Sequence, residues 1–376
     1  MQVDRRTMLC GAGAAVALGA APSVSAQRPG PPAWYRRAII IDALGGIGDP
    51  DTPDDVSRYS DKGWADTLAT GVTVVRDTVM PVGNVADPWG DYQASMTEKR
   101  AIFGANPDRM IHVRSAADIL KAKREGKFGV VLGTQDTCMI GSVLDRVAQL
   151  KKDGVMSVQL TYNNAGLAGD GALEPRNAGI TKLGKATIER IEAEKLLLDL
   201  SHGGVRTMAE GAAFAKRPLV ISHSAARDLF DHPRNTHDST IRAVADKGGV
   251  VGVYIMPFLR ADSKPTGADL IAHIEHVANV AGADHVGIGS DNGPLPIVIT
   301  PKAIEENRKW AAERIKAGIA SPGEGLDVFP IVADYNSVDR YWRLANDLAK
   351  RGWSESRLEK LFGGNFLRVY KDAWGG

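Results

Sequence analysis

Three apolar segments of this chain end in residues that bind metals or move protons. "KLLLDLSHGG" ends with Ser201 and His202, "RPLVISHSAARDLF" repeats the Ser-His pair at His223, and "HVGIGSD" ends in Asp291. Imidazole nitrogens and carboxylate oxygens are zinc ligands, and a zinc ion makes water acidic enough to attack an amide. The residue types therefore predict a site for a divalent ion. Asp291 is either a further ligand of that ion or the acceptor of a proton from water.

Residues 1–26 have the features of a cleaved export signal. Arg5 and Arg6 precede an apolar stretch, and "VSA" at its end is a small-residue cleavage site. The paired arginines are typical of twin-arginine signals, which implies the twin-arginine export machinery as a partner and a periplasmic or secreted location. An ordinary secretion signal with a basic start is the alternative. Cleavage leaves Cys138 as the only cysteine, which excludes an internal disulfide and a thiolate metal cluster.

The composition limits the classes of partner that we expect for this chain. The chain has 376 residues, of which 44% are hydrophobic and 24% charged, with a formal net charge of +1. This composition is typical of a globular protein with a large core, and the balanced charge indicates neither nucleic acid nor an anionic membrane as a partner. No later run is long and apolar enough for stable membrane insertion. A small-molecule or dipeptide substrate is expected, and a homodimer is left open.

Apolar runs alternate with amphipathic segments along residues 27–376. The eight predicted strands are 38–44, 71–77, 129–135, 157–162, 196–202, 218–224, 248–255 and 285–291. Helix-like patterns such as "VLDRVAQLKKDG" and "DLIAHIEHVANVAG" lie between most of them. This order predicts a parallel sheet with crossover helices.

The polar residues favour a barrel over an open doubly wound sheet. They lie at or near the carboxyl ends of separate strands, where a TIM-type barrel gathers its catalytic side chains: Asp42, Gln135, Tyr162, His202, His223 and Asp291. We therefore expect residues 27–376 to form one α/β domain, a TIM (β/α)8 barrel. Its loop insertions over the carboxyl-terminal mouth would be residues 45–66 and 292–340, as long loops or short helices.

The barrel would bring the two histidines together. His202 and His223 end consecutive predicted strands, and equivalent residues of adjacent parallel strands are about 5 Å apart, so both rings could reach one cation at ~2.1 Å. His273 and His276 lie instead on a predicted helix outside the barrel. We interpret these two as surface residues.

An ordered set of motifs resembles the membrane (renal) dipeptidase family, a zinc-peptidase branch of the amidohydrolase barrels. The motifs include "VQLTYNNAGLAGDGALEPRN", "LLLDLSHGGVRTM", "PLVISHSAARDLFDHPRN", "HVGIGSDNG" and "LEKLFGGNFLRVY". The resemblance implies a TIM barrel that hydrolyses dipeptides at a two-zinc centre. Within it, His202 and His223 match the histidines of one zinc, Asp291 matches the aspartate that handles the proton, and Arg234 matches the arginine that holds the substrate carboxylate.

The chain departs from the family pattern at the other zinc. The family has a His-x-Asp pair after its first strand, where this chain has Leu44 and Gly46. Gln135 stands near the place of the carboxylate that bridges the two metals. Tyr162 replaces the histidine that steadies the developing oxyanion, and its phenol can donate a similar hydrogen bond. The departures indicate one divalent ion rather than two.

Three hypotheses follow for the function. In the first, one zinc held by His202, His223 and Gln135 or Asp291 hydrolyses a small carboxylate-bearing amide, such as a dipeptide or an N-acyl amino acid. In the second, a metal-free barrel mouth performs isomerisation, elimination or tautomerisation on a small periplasmic metabolite, with the histidines, Tyr162 and Asp291 as acids and bases. In the third, the barrel is a catalytically silent binding or maturation factor.

Overall fold

The computed structural model describes residues 30–50, 52–53 and 55–375, so the predicted export signal at residues 1–26 lies outside the described residues. Nine strands are present in the part described. They are β1 Ile41–Asp42, β2 Val74–Val79, β3 Met110–His112, β4 Phe128–Thr134, β5 Val155–Gln159, β6 Leu197–Asp199, β7 Val220–Ser224, β8 Val250–Val253 and β9 Val286–Ile288.

Eight of these strands form a parallel sheet that curves into a nearly closed barrel. Their order is β1-β2-β4-β5-β6-β7-β8-β9, and every pair is parallel. The ends meet where the Ala43 amide donates to the Ile288 carbonyl at 2.9 Å and where Gly45 pairs with Asn292. The predicted TIM-type barrel is confirmed. The carboxyl ends of all eight strands consequently surround one mouth.

Thirteen α-helices are present in the described ranges. They are α1 Ala33–Arg37, α2 Asp61–Ala69, α3 Pro88–Ala105, α4 Ala116–Glu125, α5 Asp145–Asp153, α6 Lys182–Ala193, α7 Val205–Phe214, α8 Asp238–Asp246, α9 Gly267–Ala281, α10 Pro301–Lys316, α11 Arg340–Lys350, α12 Glu355–Glu359 and α13 Asn365–Trp374. None of the described helices is long and apolar enough to cross a lipid bilayer.

Two helices that carry mouth residues begin with the same local signal. The Asp87 side chain accepts from the Gly90 amide at the start of α3, and the Thr300 side chain accepts from the Ala303 amide at the start of α10. A proline follows each of these caps as the first helical residue, where its missing N–H costs nothing. These starts fix where α3 and α10 leave their loops.

The sequence-based prediction was wrong in three places. The short strand β3, which pairs with β4, was not predicted. The segment 292–340 was expected to hold only loops or short helices, but α10 has 16 residues. His273 is not a surface residue: it is 2% exposed, and its Nδ1 accepts from the Ala226 amide at 3.1 Å. A histidine that satisfies a backbone amide in this way can lie on the buried face of a helix.

Candidate functional site

Two histidines and one aspartate converge at the mouth of the barrel. The ligand atoms of His202, His223 and Asp291 all lie within 4.8 Å of one another. The two imidazole centroids are 4.9 Å apart with the rings inclined at 61°. Two ligands of a tetrahedral zinc are ~3.4 Å apart, so a bound ion would draw the three groups closer. Within the described part of the chain this is the one such group of three histidine, cysteine or acidic residues.

The backbone is left-handed at two of the three residues. The φ angle is 62° at His202 and 58° at Asp291, although neither is glycine. Such conformations cost of order 1–3 kcal/mol and occur mostly at functional sites, where the surrounding fold enforces them. The Asp291 amide donates to the Leu44 carbonyl at 2.7 Å, which ties this turn to the first strand. The strain is consistent with selection for the position of these side chains.

The ring of His202 is oriented by Asn163. His202 Nδ1 lies 2.6 Å from Asn163 Oδ1, and Asn163 Nδ2 donates to the Ile319 carbonyl at 2.7 Å. Since the amide nitrogen of Asn163 is used there, its oxygen faces His202 and accepts. Nδ1 of His202 therefore carries the proton, and Nε2 has the lone pair that a metal requires.

His223 is oriented by a chain of buried polar groups. His223 Nδ1 is 2.8 Å from Ser222 Oγ, and Ser222 Oγ donates to Asp199 Oδ2 at 2.5 Å. Asp199 is also paired with the buried guanidinium of Arg76, at 2.5 Å. Because the serine proton goes to the carboxylate, Ser222 Oγ accepts from His223 Nδ1, and Nε2 of this ring also bears a lone pair. Both imidazoles thus have the tautomer suited to binding one ion.

A pocket opens beside this group. Asp291 and Tyr162 line it, while the imidazoles, 4% and 0% exposed, do not. The Tyr162 ring stacks on His202 with centroids 4.3 Å apart. Apolar walls complete the pocket: Ile47, Met80, Met256, Ile297, Trp310 and Pro330. The chemistry available here is acid-base or metal-assisted reaction of a small molecule with an apolar body.

Arg234, which the family resemblance matches to the arginine that holds the substrate carboxylate, also lines the pocket. It is 4% exposed, and its guanidinium makes no hydrogen bond or ion pair with any residue that the structure describes. The Arg234 guanidinium lies over the Phe258 ring, 6.0 Å from the ring centroid. Buried cations are ordinarily paired, and the planar guanidinium matches a carboxylate. This arginine is therefore suited to bind an anionic ligand.

Tyr162 is held by α10. Arg314 Nη1 donates to the Tyr162 hydroxyl at 3.0 Å, and Arg314 is itself paired with Glu324. Arginine is only a donor, so the phenol oxygen accepts and its own proton is directed elsewhere. An accepted hydrogen bond polarises an O–H group, which makes Tyr162 a better donor to a developing oxyanion.

Gln135 is buried at the end of β4. Its Nε2 donates to Thr78 Oγ1 at 2.8 Å, and its backbone carbonyl accepts from Gln159 Nε2 at 2.7 Å. The bond to Thr78 holds the Gln135 side chain on the β2 side of the barrel. Its assignment as a metal ligand stays a prediction.

Asp42, the polar residue at the end of β1, does not line the pocket. It accepts from the Tyr341 hydroxyl at 2.6 Å and from the Ser290 amide at 2.8 Å, which joins β1 to α11 and to the segment after β9. Burial raises the pKa of Asp42 from 3.8 to about 6, against the opposing effect of these hydrogen bonds. Its role is in the closure of the barrel.

The raised pKa of Asp42 predicts a pH dependence of stability. Between pH 4 and 6 the folded protein holds a proton that the unfolded chain has released, so the free energy of unfolding falls as pH rises. From pH 7 to 5, wild type should gain about 1 kcal/mol more than Asp42→Asn. Urea unfolding at both pH values measures this difference. Asp136, whose pKa burial also raises to about 6, is common to both proteins and cancels. Equal gains would contradict the prediction.

The sequence of residues 91–311 matches the profile of the membrane dipeptidases, peptidase family M19. This match spans more than half of the chain. The chain belongs to the membrane dipeptidase family. The family consists of zinc metallopeptidases, which agrees with the His202–His223–Asp291 group. The resemblance stated from the motifs is thereby confirmed.

Two similar proteins and one solved structure give the scale of the similarity. Dipeptidase verJ of Clonostachys rogersoniana is 26% identical over 270 residues, which is 70% of this chain but 60% of that protein. An uncharacterized protein in the pqqA 5′ region of Klebsiella pneumoniae is 32% identical over 232 residues, 59% of this chain and 73% of that protein. The crystal structure of an amidohydrolase from Pseudomonas aeruginosa has a TM-score of 0.76 at 29% identity and covers 91% of this chain and 98% of that one.

The described residues fit one metal ion and do not fit a second. His202, His223 and Asp291 offer two nitrogens and a carboxylate. Leu44 and Gly46, at the family's ligand positions for the other ion, offer no side-chain donor. The chain therefore has one candidate metal-binding group among its described residues and differs from the family pattern at the two positions where the resemblance implies ligands of the other ion.

Several pocket residues were missed in the sequence, among them Lys99, Trp310 and Arg314. Lys99 lies within α3, and the other two lie within α10. The helical pattern of α3 and α10 does not indicate which of their charged or aromatic side chains turn toward the barrel mouth.

Proposed function

We propose that this protein is an exported hydrolase that cleaves a small carboxylate-bearing amide, a dipeptide or an N-acyl amino acid, with one zinc ion. The observation that carries the proposal is the buried guanidinium of Arg234, which has no ion pair with any described residue and lies in the same pocket as Asp291 and Tyr162. Export and a periplasmic location rest on the signal-like sequence of residues 1–26.

His202 and His223 would hold the ion through Nε2, and Asp291 would complete the set with one carboxylate oxygen. When bound, zinc supplies Lewis-acid charge at the amide carbonyl and makes a water molecule acidic near neutral pH. A carboxylate oxygen of Asp291 would accept the proton of the water as its oxygen bonds to the carbonyl carbon. Asp291 would then return that proton to the nitrogen of the breaking C–N bond, so that a neutral amine and a carboxylic acid form.

Arg234 and Tyr162 position the substrate. Arg234 binds the carboxylate with two parallel N–H donors and thereby sets the distance from the carboxylate to the amide bond. Tyr162 donates its hydroxyl proton to the oxygen that becomes negative as water adds. Its stacking on His202 keeps that donor beside the ion's ligands.

Metal content tests the proposal. The purified protein, prepared without chelator or histidine tag, should contain about one equivalent of zinc by plasma mass spectrometry, and should cleave N-acyl amino acids or dipeptides. A protein that stays without metal after incubation with zinc, but still turns over such amides, would contradict the proposal in favour of acid-base chemistry alone.

Arg234→Gln tests the carboxylate site. Because hydrogen bonds to charged groups contribute about 1.5–3 kcal/mol, kcat/KM for a carboxylate-bearing amide should fall roughly 10- to 100-fold. For the matched C-terminal carboxamide it should hardly change. Removing an unpaired buried charge should leave the free energy of unfolding unchanged or raise it. Arg124→Gln, on the exposed face of α4, is the control. An equal loss for both substrates would show that Arg234 does not bind the carboxylate.

A further inference from the structure

A buried ion pair that the proposed reaction does not use forms part of the pocket wall. Lys99 of α3 places its Nζ 2.5 Å from Oδ2 of Asp77, which lies in β2. The side chains are 9% and 7% exposed, and both residues line the pocket. Lysine is rarely buried to this extent, and removing its ammonium from water is costly even when it is paired. The pair therefore needs an explanation at a site that binds small molecules.

Lys99 faces Arg234 across the barrel. Strands β2 and β7 are second and sixth in the order of eight, so they lie on opposite sides of the ring. Asp77 and Lys99 belong to the β2 side, whereas Arg234 lies in the connection after β7. A substrate whose carboxylate is held by Arg234 and whose amide lies at Asp291 therefore extends its other end toward Lys99.

The Lys99–Asp77 ion pair lies beside the place where the family has the ligands of its first metal and this chain does not. A Cβ atom on Gly46, at the position of a missing ligand, would be 3.9 Å from Oδ1 of Asp77. Leu44, at the other missing position, is fully buried. Asp77 is the acidic group next to this place, and the Lys99 ammonium already neutralises it. The cationic group on this side of the pocket is thus the Lys99 side chain, paired with Asp77.

An ammonium group differs from a metal ion in what it accepts as a partner. Lys99 has three N–H donors and no lone pair, and among the residues described only Asp77 is close enough to pair with it. Its remaining donors are available to an oxygen of the substrate. A second ammonium group in this position would be repelled, since like charges in an interface cost several kcal/mol.

We propose that Lys99 is a substrate-binding residue that selects amides with an uncharged acyl group, N-acyl amino acids, over dipeptides with an ionised amino terminus. The acyl end of the substrate lies against Lys99, and its carboxylate lies at Arg234. This inference rests on the proposed function for its choice of an amide substrate. Glu98, beside Lys99 on α3, also lines the pocket. Its carboxylate would favour a substrate with an ionised amino terminus.

Two compounds that differ only by the ammonium group test the proposal. N-propanoyl-leucine is alanyl-leucine without its amino group, and the leucine side chain suits the apolar walls. Wild type should show kcat/KM at least about tenfold higher for N-propanoyl-leucine. A preference for alanyl-leucine, or equal values, would overturn the proposal.

Substitution then assigns the preference to Lys99. Lys99→Met keeps the length of the side chain without its charge, and should reduce the preference to near unity. Because Asp77 then stays buried without its partner, the double variant Lys99→Met/Asp77→Asn removes both charges and provides a second, better-folded protein. Lys121→Met, on the surface of α4, should keep the wild-type ratio. A preference that survives in both folded variants would overturn the proposal.

The same comparison separates this inference from the proposed hydrolysis. If the protein cleaves neither compound, calorimetry gives the two dissociation constants directly. Tighter binding of N-propanoyl-leucine that is lost in the double variant would support the role of Lys99 while rejecting hydrolysis. Hydrolysis of both compounds at rates that do not depend on Lys99 would support the hydrolase and reject the role of Lys99.

Discussion

Replacing His202 with alanine is expected to remove bound zinc and turnover together. Loss of an outer-shell partner of a zinc ligand already lowers metal affinity about 10- to 100-fold, and loss of the ligand itself costs more. His202 and His223 are the two imidazoles of the group, so the variant would keep only one imidazole nitrogen and the Asp291 carboxylate as ligands. Zinc measured by plasma mass spectrometry should fall from about one equivalent to less than about a tenth, and His223→Ala should behave alike.

Thermal unfolding tests the loss of zinc without depending on turnover. Zinc at about 100 times its Kd should stabilise wild type by about 2.7 kcal/mol, because it binds only the folded protein. His202→Ala should show no such shift in thermal unfolding. His276→Ala, which removes a partly exposed histidine on α9, should keep both the metal and the shift. Retention of a full equivalent of zinc in His202→Ala would show that the ion binds elsewhere.

The barrel and the histidine pair were predictable from the sequence for a physical reason. Strands buried on both faces appear as unbroken apolar runs, such as those ending at His202 and His223, and parallel connectivity brings their carboxyl ends to one mouth. The motif resemblance then matched Arg234 to the arginine that holds the substrate carboxylate. The inference about the two histidines depends on residues that lie within or shortly after strands, whose positions the sheet determines.

The rest of the pocket could not be predicted because it comes from helices and from tertiary contacts. Arg314 reaches Tyr162 only because α10 crosses the mouth, and nothing in the α10 sequence distinguishes this buried arginine from the exposed Arg308. Lys99 likewise lies in the pocket wall because it pairs with Asp77, which is in the middle of a buried strand. Periodicity identifies the apolar face of a helix but not a charged residue that is buried by its partner.

The same limitation applies to Arg76 and Asp199, which lie within strands but meet only in the folded barrel. They are separated by 123 residues in sequence. The Arg76 side chain also requires Gly133 in β4, since a Cβ there would lie 2.2 Å from its Nε. Substituting this glycine in the otherwise apolar "GVVLGTQ" strand would force the guanidinium to move.

Asp199→Asn is expected to weaken both the fold and the metal site. Asp199 is fully buried and accepts from Arg76, from the Ser201 and Ser222 hydroxyls and from the amides of both serines. The asparagine amino group cannot accept, and Arg76 would lose its counter-charge. Breaking a buried ion pair costs about 3–5 kcal/mol, which urea unfolding should detect. Asp66→Asn, at an exposed ion pair with Lys62, should cost less than about 1 kcal/mol.

Ser222→Ala separates the effect on the metal from the effect on the fold. It leaves the Arg76–Asp199 pair in place and removes only the hydroxyl that connects Asp199 to His223 Nδ1. Without that acceptor the imidazole is no longer held in the tautomer that exposes Nε2, so zinc affinity, measured against a competing chelator, should fall about 10- to 100-fold. The loss of stability should be smaller than in Asp199→Asn. Zinc affinity equal to that of wild type in folded Ser222→Ala would show that the polar chain supports the barrel alone, and that His223 is oriented by its packing.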